Sequence, residues 1–243
     1  MNERAPLVEI RGLVKEYRAL RPLRIQELIV RPAEIVSIAG LDAQAAEMLI
    51  TLVTGASLPD AGEIRLFGRS TAEIGDSATW LRALDGVGML SARVVLLEAC
   101  SVRQNIALSL TLEIDPISAA VRERVDALAR DAGLQSGQLD TPVGAVGPED
   151  QMRVRLARAL ALAPSLLLAE HPSASLPPET VAAVASDVAR LARARGQGVL
   201  AISADPLFAR SLGGTRLALD PATGAWRPQG MWSKVTGALS RSK

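Results

Sequence analysis

Residues 151–179 read QMRVRLARALALAPSLLLAEHPSASLPPE, and the hydrophobic period changes midway along them. Val154, Leu156, Ala157, Leu160 and Ala161 recur at helical spacing, with Arg153, Arg155 and Arg158 between them. Pro164 stops the pattern, so the segment is predicted to be an amphipathic helix. Leu166, Leu167, Leu168 and Ala169 follow as a short apolar run, which suits a parallel strand buried on both faces. That strand ends on the ionisable pair Glu170 and His171. Open α/β sheets bind their ligands at such carboxyl ends.

Helix, Pro-containing turn, buried strand, acidic residue and a turn rich in Ser and Pro, in that order, resemble the ATPase subunit of ATP-binding cassette (ABC) transporters. In that family the signature motif opens the helix, the strand carries the Walker B aspartate and the catalytic glutamate, and the D-loop comes next. The register matches while the chemistry is altered. Glu170 stands where the family has Asp, His171 where it has Glu, and Pro177 where the D-loop has Asp.

Upstream, Ile35 to Ala39 (IVSIA) is predicted to be a buried strand running into GLDAQAAEML. The family places here a Gly-rich loop, then Lys and Ser or Thr, then a helix. Backbone amides wrap the phosphates, the Lys neutralises them and the hydroxyl holds Mg²⁺. Gly40 survives, but by spacing Ala43 and Ala45 replace glycines, Ala46 replaces the lysine and Glu47 replaces the hydroxyl. A Cβ resists the left-handed conformations of a phosphate nest. Asp42 and Glu47 would add repulsion of about 1 to 4 kcal/mol each at about 4 Å. Read locally, the segment is a strand-to-helix turn capped by Asp42 with an acidic first turn.

The flanking scaffold also follows the family. Thr54-Gly55, Pro59-Asp60, Gly62-Glu63 and Phe67-Gly68 keep the helix end and the turn that follow the nucleotide loop. Leu7 to Ile10 reads as a first strand that continues through Gly12 to Tyr17, and Leu23 to Val30 as a second, together an antiparallel layer. The resemblance implies that Tyr17 lies where an aromatic stacks on adenine; without it, Tyr17 reads equally as a half-buried residue at a strand edge. Gly88 to Leu90 is a short strand candidate, and Val102, Asn105 and Ile106 match the segment after the Q-loop, where the ATPase meets a membrane subunit. The Q-loop glutamine falls near Ser91 or Ala92, and neither replaces it.

Ser118 to Ala132 is an amphipathic helix of the family's helical subdomain, with a solvated charged face. The family's Leu-Ser-Gly-Gly-Gln signature is here Val146, Gly147, Pro148, Glu149 and Asp150. Pro148 has no N–H, and Glu149 and Asp150 would point carboxylates at a partner's γ-phosphate, yet all three suit a helix start. Pro178 to Ala194 reads as a long helix, Val199 to Ser203 as a buried strand and Thr215 to Asp220 as the last strand before a turn at Asp220 to Gly224. Ala204 occupies the switch-histidine position.

The chain of 243 residues is 49% hydrophobic and 2% aromatic, so Ala, Leu, Val and Ile must build its core. With 27 Lys and Arg against 26 Asp and Glu, the charge of +1 gives no case for a nucleic-acid-binding surface. The lone Cys100 fits a reducing compartment. No apolar run reaches the roughly 18 to 20 residues that span a bilayer, and MNERAPLVEI lacks a signal peptide's apolar region.

The expected fold is α/β, an ABC-ATPase-like P-loop NTPase with an antiparallel β layer, a mostly parallel core sheet and an α-helical subdomain. One domain is expected over residues 1–230, with the helical subdomain at about 91–160 and a basic, weakly amphipathic tail at 231–243. The expected protein is cytoplasmic, peripheral on the inner face of the membrane through a partner, and dimeric with itself or another ABC ATPase subunit on a membrane permease. Loop lysine, loop glycines, signature, usual catalytic carboxylates and switch histidine are all absent, which implies a pseudo-ATPase. No cofactor is expected and no metal site, ATP and Mg²⁺ being the family's ligands. The alternatives are an unorthodox hydrolase, in which Glu170 binds Mg²⁺ and His171 handles water, and a soluble scaffold.

Overall fold

A computed structural model describes residues 5–228, so the tail expected at 231–243 lies outside the described residues. In chain order the elements begin with β1 (Val8–Lys15), β2 (Leu23–Val30), β3 (Ile35–Ala39), α1 (Ala43–Val53), β4 (Ala61–Leu66) and β5 (Arg69–Ser70). Next come α2 (Ser77–Leu84), β6 (Val87–Ser91), α3 (Val102–Ala107), α4 (Ala119–Asp131), α5 (Pro148–Ala159) and β7 (Leu166–Glu170). The chain continues through α6 (Pro178–Arg195), β8 (Gly198–Ile202), α7 (Pro206–Leu212), β9 (Thr215–Leu219) and β10 (Trp226–Pro228).

Two sheets form. An antiparallel sheet runs β2-β1-β4-β5, and a six-stranded sheet runs β10-β9-β3-β8-β7-β6, parallel except for β10 against β9. The expected α/β fold, with its antiparallel layer, mostly parallel sheet and helices, is therefore present. The first strand, read from Leu7 to Ile10 and continuing through Gly12 to Tyr17, is β1, whose register against β4 shifts between Arg11 and Val14. Tyr17 lies just beyond its end.

The wholly apolar strands are explained by what covers each face. Successive side chains of a strand point to opposite sides. Leu167, Ala169, Val199 and Ala201 pack toward helices α3 to α6, whereas Leu166, Leu168, Leu200 and Ile202 pack toward α1 and the antiparallel sheet. Each fully buried Leu contributes about 1.5 to 3 kcal/mol. With aromatics scarce, Phe208 is the one aromatic among the largest fully buried side chains of the described residues. No helix among the described residues is long and apolar enough to cross a membrane.

Candidate functional site

Register places the site. Ser91 of β6 lies opposite Glu170 of β7, Glu170 lies opposite Ile202 of β8, and Ile38 of β3 also pairs with Ile202. The carboxyl ends of these strands therefore deliver Gly40, the Ser91–Arg93 turn, Glu170–His171 and Ser203 to one edge of the sheet.

Gly40 turns the chain out of β3 at φ +94°, and a Cβ there would sit 2.7 Å from the Leu219 carbonyl oxygen. Only glycine fits. The next residues do not form a nest. Asp42 caps α1, its carboxylate accepting the Ala45 amide at 2.8 Å and its carbonyl the Ala46 amide at 2.8 Å. The helix is thus under way from Ala43, and the amides of Ala45 and Ala46 are spent on Asp42. Ala46 is fully buried in the core beneath α1. The cap is as expected, but the acidic first turn is not. Glu47 falls beyond the first turn, and no acidic residue stands in it.

Glu47 instead takes part in a cluster that sequence reasoning missed. Arg93 Nη1 lies 2.7 Å from Glu47 Oε2, and Arg93 Nη2 lies 2.9 and 3.0 Å from the two carboxylate oxygens of Glu170. Glu170 is buried, at 4% exposure, while Arg93 and Glu47 are more than half exposed. Burial pulls the Arg93 guanidinium down, but the Glu47 hydrogen bond and the Glu170 and Glu47 charges outweigh it and hold the group above its ordinary value. Arg93 follows directly on the Ser91 and Ala92 positions singled out in the sequence. The pairing follows from β6 lying beside β7, which brings the turn after β6 to the end of β7.

The segment after Arg93 is pinned on several sides. Arg155 Nε donates to the Val94 carbonyl at 3.0 Å and Arg158 Nη1 to the Val95 carbonyl at 2.8 Å. Desolvation by burial pushes both guanidiniums below their usual value, and the Arg158 charge adds to this at Arg155. Fully buried Asn105 holds Leu97 through its amide and its carbonyl, at 2.8 and 3.0 Å. The side chains of Val95 and Leu97 remain exposed.

A cleft of about 900 Å³ opens beside the loop, lined among others by Tyr17, Arg18, Arg21, Arg24, Gly40 and Asp42. Burial, and then the Asp42 charge, push the Tyr17 phenol up. In size, and with an aromatic and three guanidiniums on its wall, this cleft fits a nucleotide. Ala46, at the expected lysine position, does not line this cleft; its methyl is buried in the core and has no charge to offer. Glu47 and Glu170 are hard oxygen donors of the kind that hold Mg²⁺, and Arg93 sits between them.

His171 adopts φ +40° and donates its amide to the Ile202 carbonyl at 2.8 Å. Its Nε2 is buried without a hydrogen-bond partner. It borders a hollow of about 340 Å³ with Ser173, Ala174, Ser203, Ala204 and Asp205. The Asp205 carboxylate caps α7 through the amides of Leu207 and Phe208, at 2.8 and 3.3 Å.

Residues 147–150 start α5 as expected, with Gly147 as N-cap and Pro148 in the first turn. Their carboxylates differ from expectation. Glu149 and Asp150 do not project outward; they fold back to Arg153 at 3.1 and 3.0 Å, and Asp150 also accepts from Gln138 at 2.9 Å. Gly147, Pro148, Glu149 and Asp150 form no part of the cleft wall.

Comparison with known proteins agrees with this geometry. The family profile described as ABC transporter matches residues 23–174. The lipoprotein-releasing system ATP-binding protein LolD of Maricaulis maris is 35% identical over 78% of the chain and 82% of its own length. The methionine import ATP-binding protein MetN 2 of Paraburkholderia xenovorans is 34% identical over 65% of the chain, which spans only 40% of that protein. Among solved structures, CbiO1 from Clostridium perfringens, part of the ABC transporter complex CbiONQ, superposes with TM-score 0.74 at 18% identity, covering 96% of this chain and 92% of its own. A dimeric bacterial ABC transporter cassette gives 0.73 at 22% identity, covering 89% and 95%. The expectation that no cofactor belongs to this chain is overturned by these relatives, which are named ATP-binding proteins; ATP is the ligand class of the family. The chain belongs to the ABC transporter family, as its nucleotide-binding subunit.

Proposed function

We propose that this subunit has lost ATP hydrolysis and acts structurally or as a regulator within a membrane transport complex. The reading keeps ATP as the ligand and assigns the loss to the chemical step. Its main support is Ala46, fully buried where Walker A loops present the lysine that neutralises the phosphates. The chain would act as one domain over residues 1–230 with its helical subdomain at about 91–160. It would pair with itself or another ABC ATPase subunit and dock on a permease at the inner face of the membrane. Relatives named for lipoprotein release and methionine import make a transport complex the natural setting.

The test is ATP turnover by the purified chain and by its copurifying complex, beside Glu170→Gln and His171→Ala variants, with binding followed by a fluorescent ATP analogue. The expected result is no phosphate release that depends on either residue. Turnover that Glu170→Gln abolishes would sink the reading and establish the second one, in which Glu170 holds Mg²⁺ and His171 orients or deprotonates water. The unpartnered Nε2 of His171 is the observation that favours this second reading.

A further inference from the structure

Three charges meet at the sheet edge with a net charge of −1, two carboxylates against one guanidinium. In P-loop NTPases the hydroxyl position of the loop and the Walker B carboxylate are the protein groups that hold Mg²⁺. In this chain those positions are Glu47 and Glu170. The guanidinium of Arg93 spans them, with Nη1 at 2.7 Å from one and Nη2 at 2.9 and 3.0 Å from the other. A planar guanidinium suits this task because its nitrogens address two acceptors at once.

We propose that Arg93 serves as a built-in cation between Glu47 and Glu170, holding the Arg93–Leu97 segment in place without a metal ion, and that a divalent cation reaches these carboxylates only by displacing Arg93.

The geometry ties the two halves of the proposal together. Val94 and Val95 are fixed to α5 through their carbonyls, and Leu97 is fixed to Asn105. The amides of Arg93 and Val94 also donate to Ser91 Oγ and the Ser91 carbonyl, each at 3.1 Å, and the Arg93 side chain supplies the tie that runs to the end of β7. Displacing it removes the side-chain anchor to β7 from a segment whose Val95 and Leu97 side chains face outward. Occupancy by a cation would therefore be felt at that exposed surface. Because Glu170 is buried, leaving it without a cation is costly, so one cation or the other must be present.

The experiment uses the full chain without nucleotide, so its failure leaves the hydrolysis reading untouched. Mn²⁺ binding is measured by calorimetry, and hydrogen exchange of the 93–97 amides is followed with and without Mn²⁺. Wild type is expected to bind weakly. Arg93→Gln should bind roughly tenfold more tightly or better, because the competing charge is gone. Its 93–97 amides should exchange faster than wild type, with or without Mn²⁺. Arg93→Gln combined with Glu170→Gln should lose the gain in affinity. Should Arg93→Gln not fold, Arg93→Lys must show the same change in lesser degree, since it keeps the charge and loses the fork. Equal Mn²⁺ affinity in wild type and the folded Arg93 variant, or a gain that survives Glu170→Gln, overturns the proposal.

Discussion

The carboxylate of Asp42 accepts the backbone amide of Ala45 at 2.8 Å, which makes a helix cap of a turn that elsewhere in the family cradles phosphate. N-cap aspartates contribute about 1 kcal/mol, so Asp42→Ala is expected to lower stability by roughly 0.5 to 2 kcal/mol. Asp42→Asn, which caps equally well, should leave it nearly unchanged. Urea midpoints of the two variants decide the matter. Equal losses would mean that the charge, and not the hydrogen bond, is what the turn requires.

Restoring the lysine alone is expected to fail. Ala46 is fully exposed to the core and not at all to solvent, packed among the residues beneath α1. Ala46→Lys must fit three more methylenes and an ammonium there, costing at least about 2 kcal/mol from overpacking and charge burial together. Its melting temperature should fall and its ATP turnover should not rise. A variant of unchanged stability with new turnover would show that α1 moves readily into a working arrangement.

The fold was legible because its long elements carry strong periods. β2, β7 and the start of α6 lie where alternation, a short apolar run and Pro178 put them. Strand β1 was legible as a first strand continuing past Gly12, but the register shift against β4 between Arg11 and Val14 was not. The site was legible only as positions. Ala46, Glu47, Glu170 and His171 were found by spacing, but the pairing of Arg93 with two glutamates depends on β6 lying beside β7, which no local period encodes. The inward turn of Glu149 and Asp150 had a local signal after all. Arg153 follows them by four and three residues, the separation at which helical side chains meet.

Acid should loosen the antiparallel layer and the last hairpin. The hydrogen bond from Lys15, helped by the Glu16 amide, holds the Asp60 carboxyl below its ordinary value of 3.8. Arg227, helped by the Ala222 amide, does the same for Asp220. A carboxylate whose folded value is depressed stabilises the protein above its unfolded value and loses that contribution as pH falls through the folded one. Stability should therefore decline as pH drops below about 3.8. The Asp220→Asn variant should show a shallower decline, measured by urea midpoints across that range. An identical pH profile would remove Asp220 from the account.

Two glycines, one near the start of β4 and one in the turn after it, separate backbone strain from close packing. Gly62 has φ +84° and Gly68 has φ +79°, so an alanine at either pays for a left-handed conformation, about 1 kcal/mol. Around Gly68 nothing lies within 4 Å of an added Cβ. At Gly62 the same atom would sit 2.3 Å from the Gly12 carbonyl oxygen and 2.5 Å from that of Arg11, where β1 shifts register against β4. Backbone cannot rotate away as a side chain can, so the strands must part there. Gly68→Ala is expected to cost about 1 kcal/mol, and Gly62→Ala at least about 3 kcal/mol, with faster hydrogen exchange along β1. Equal losses in the two variants would show that β1 and β4 separate at Gly62 without penalty, and that conformation alone sets the requirement for glycine.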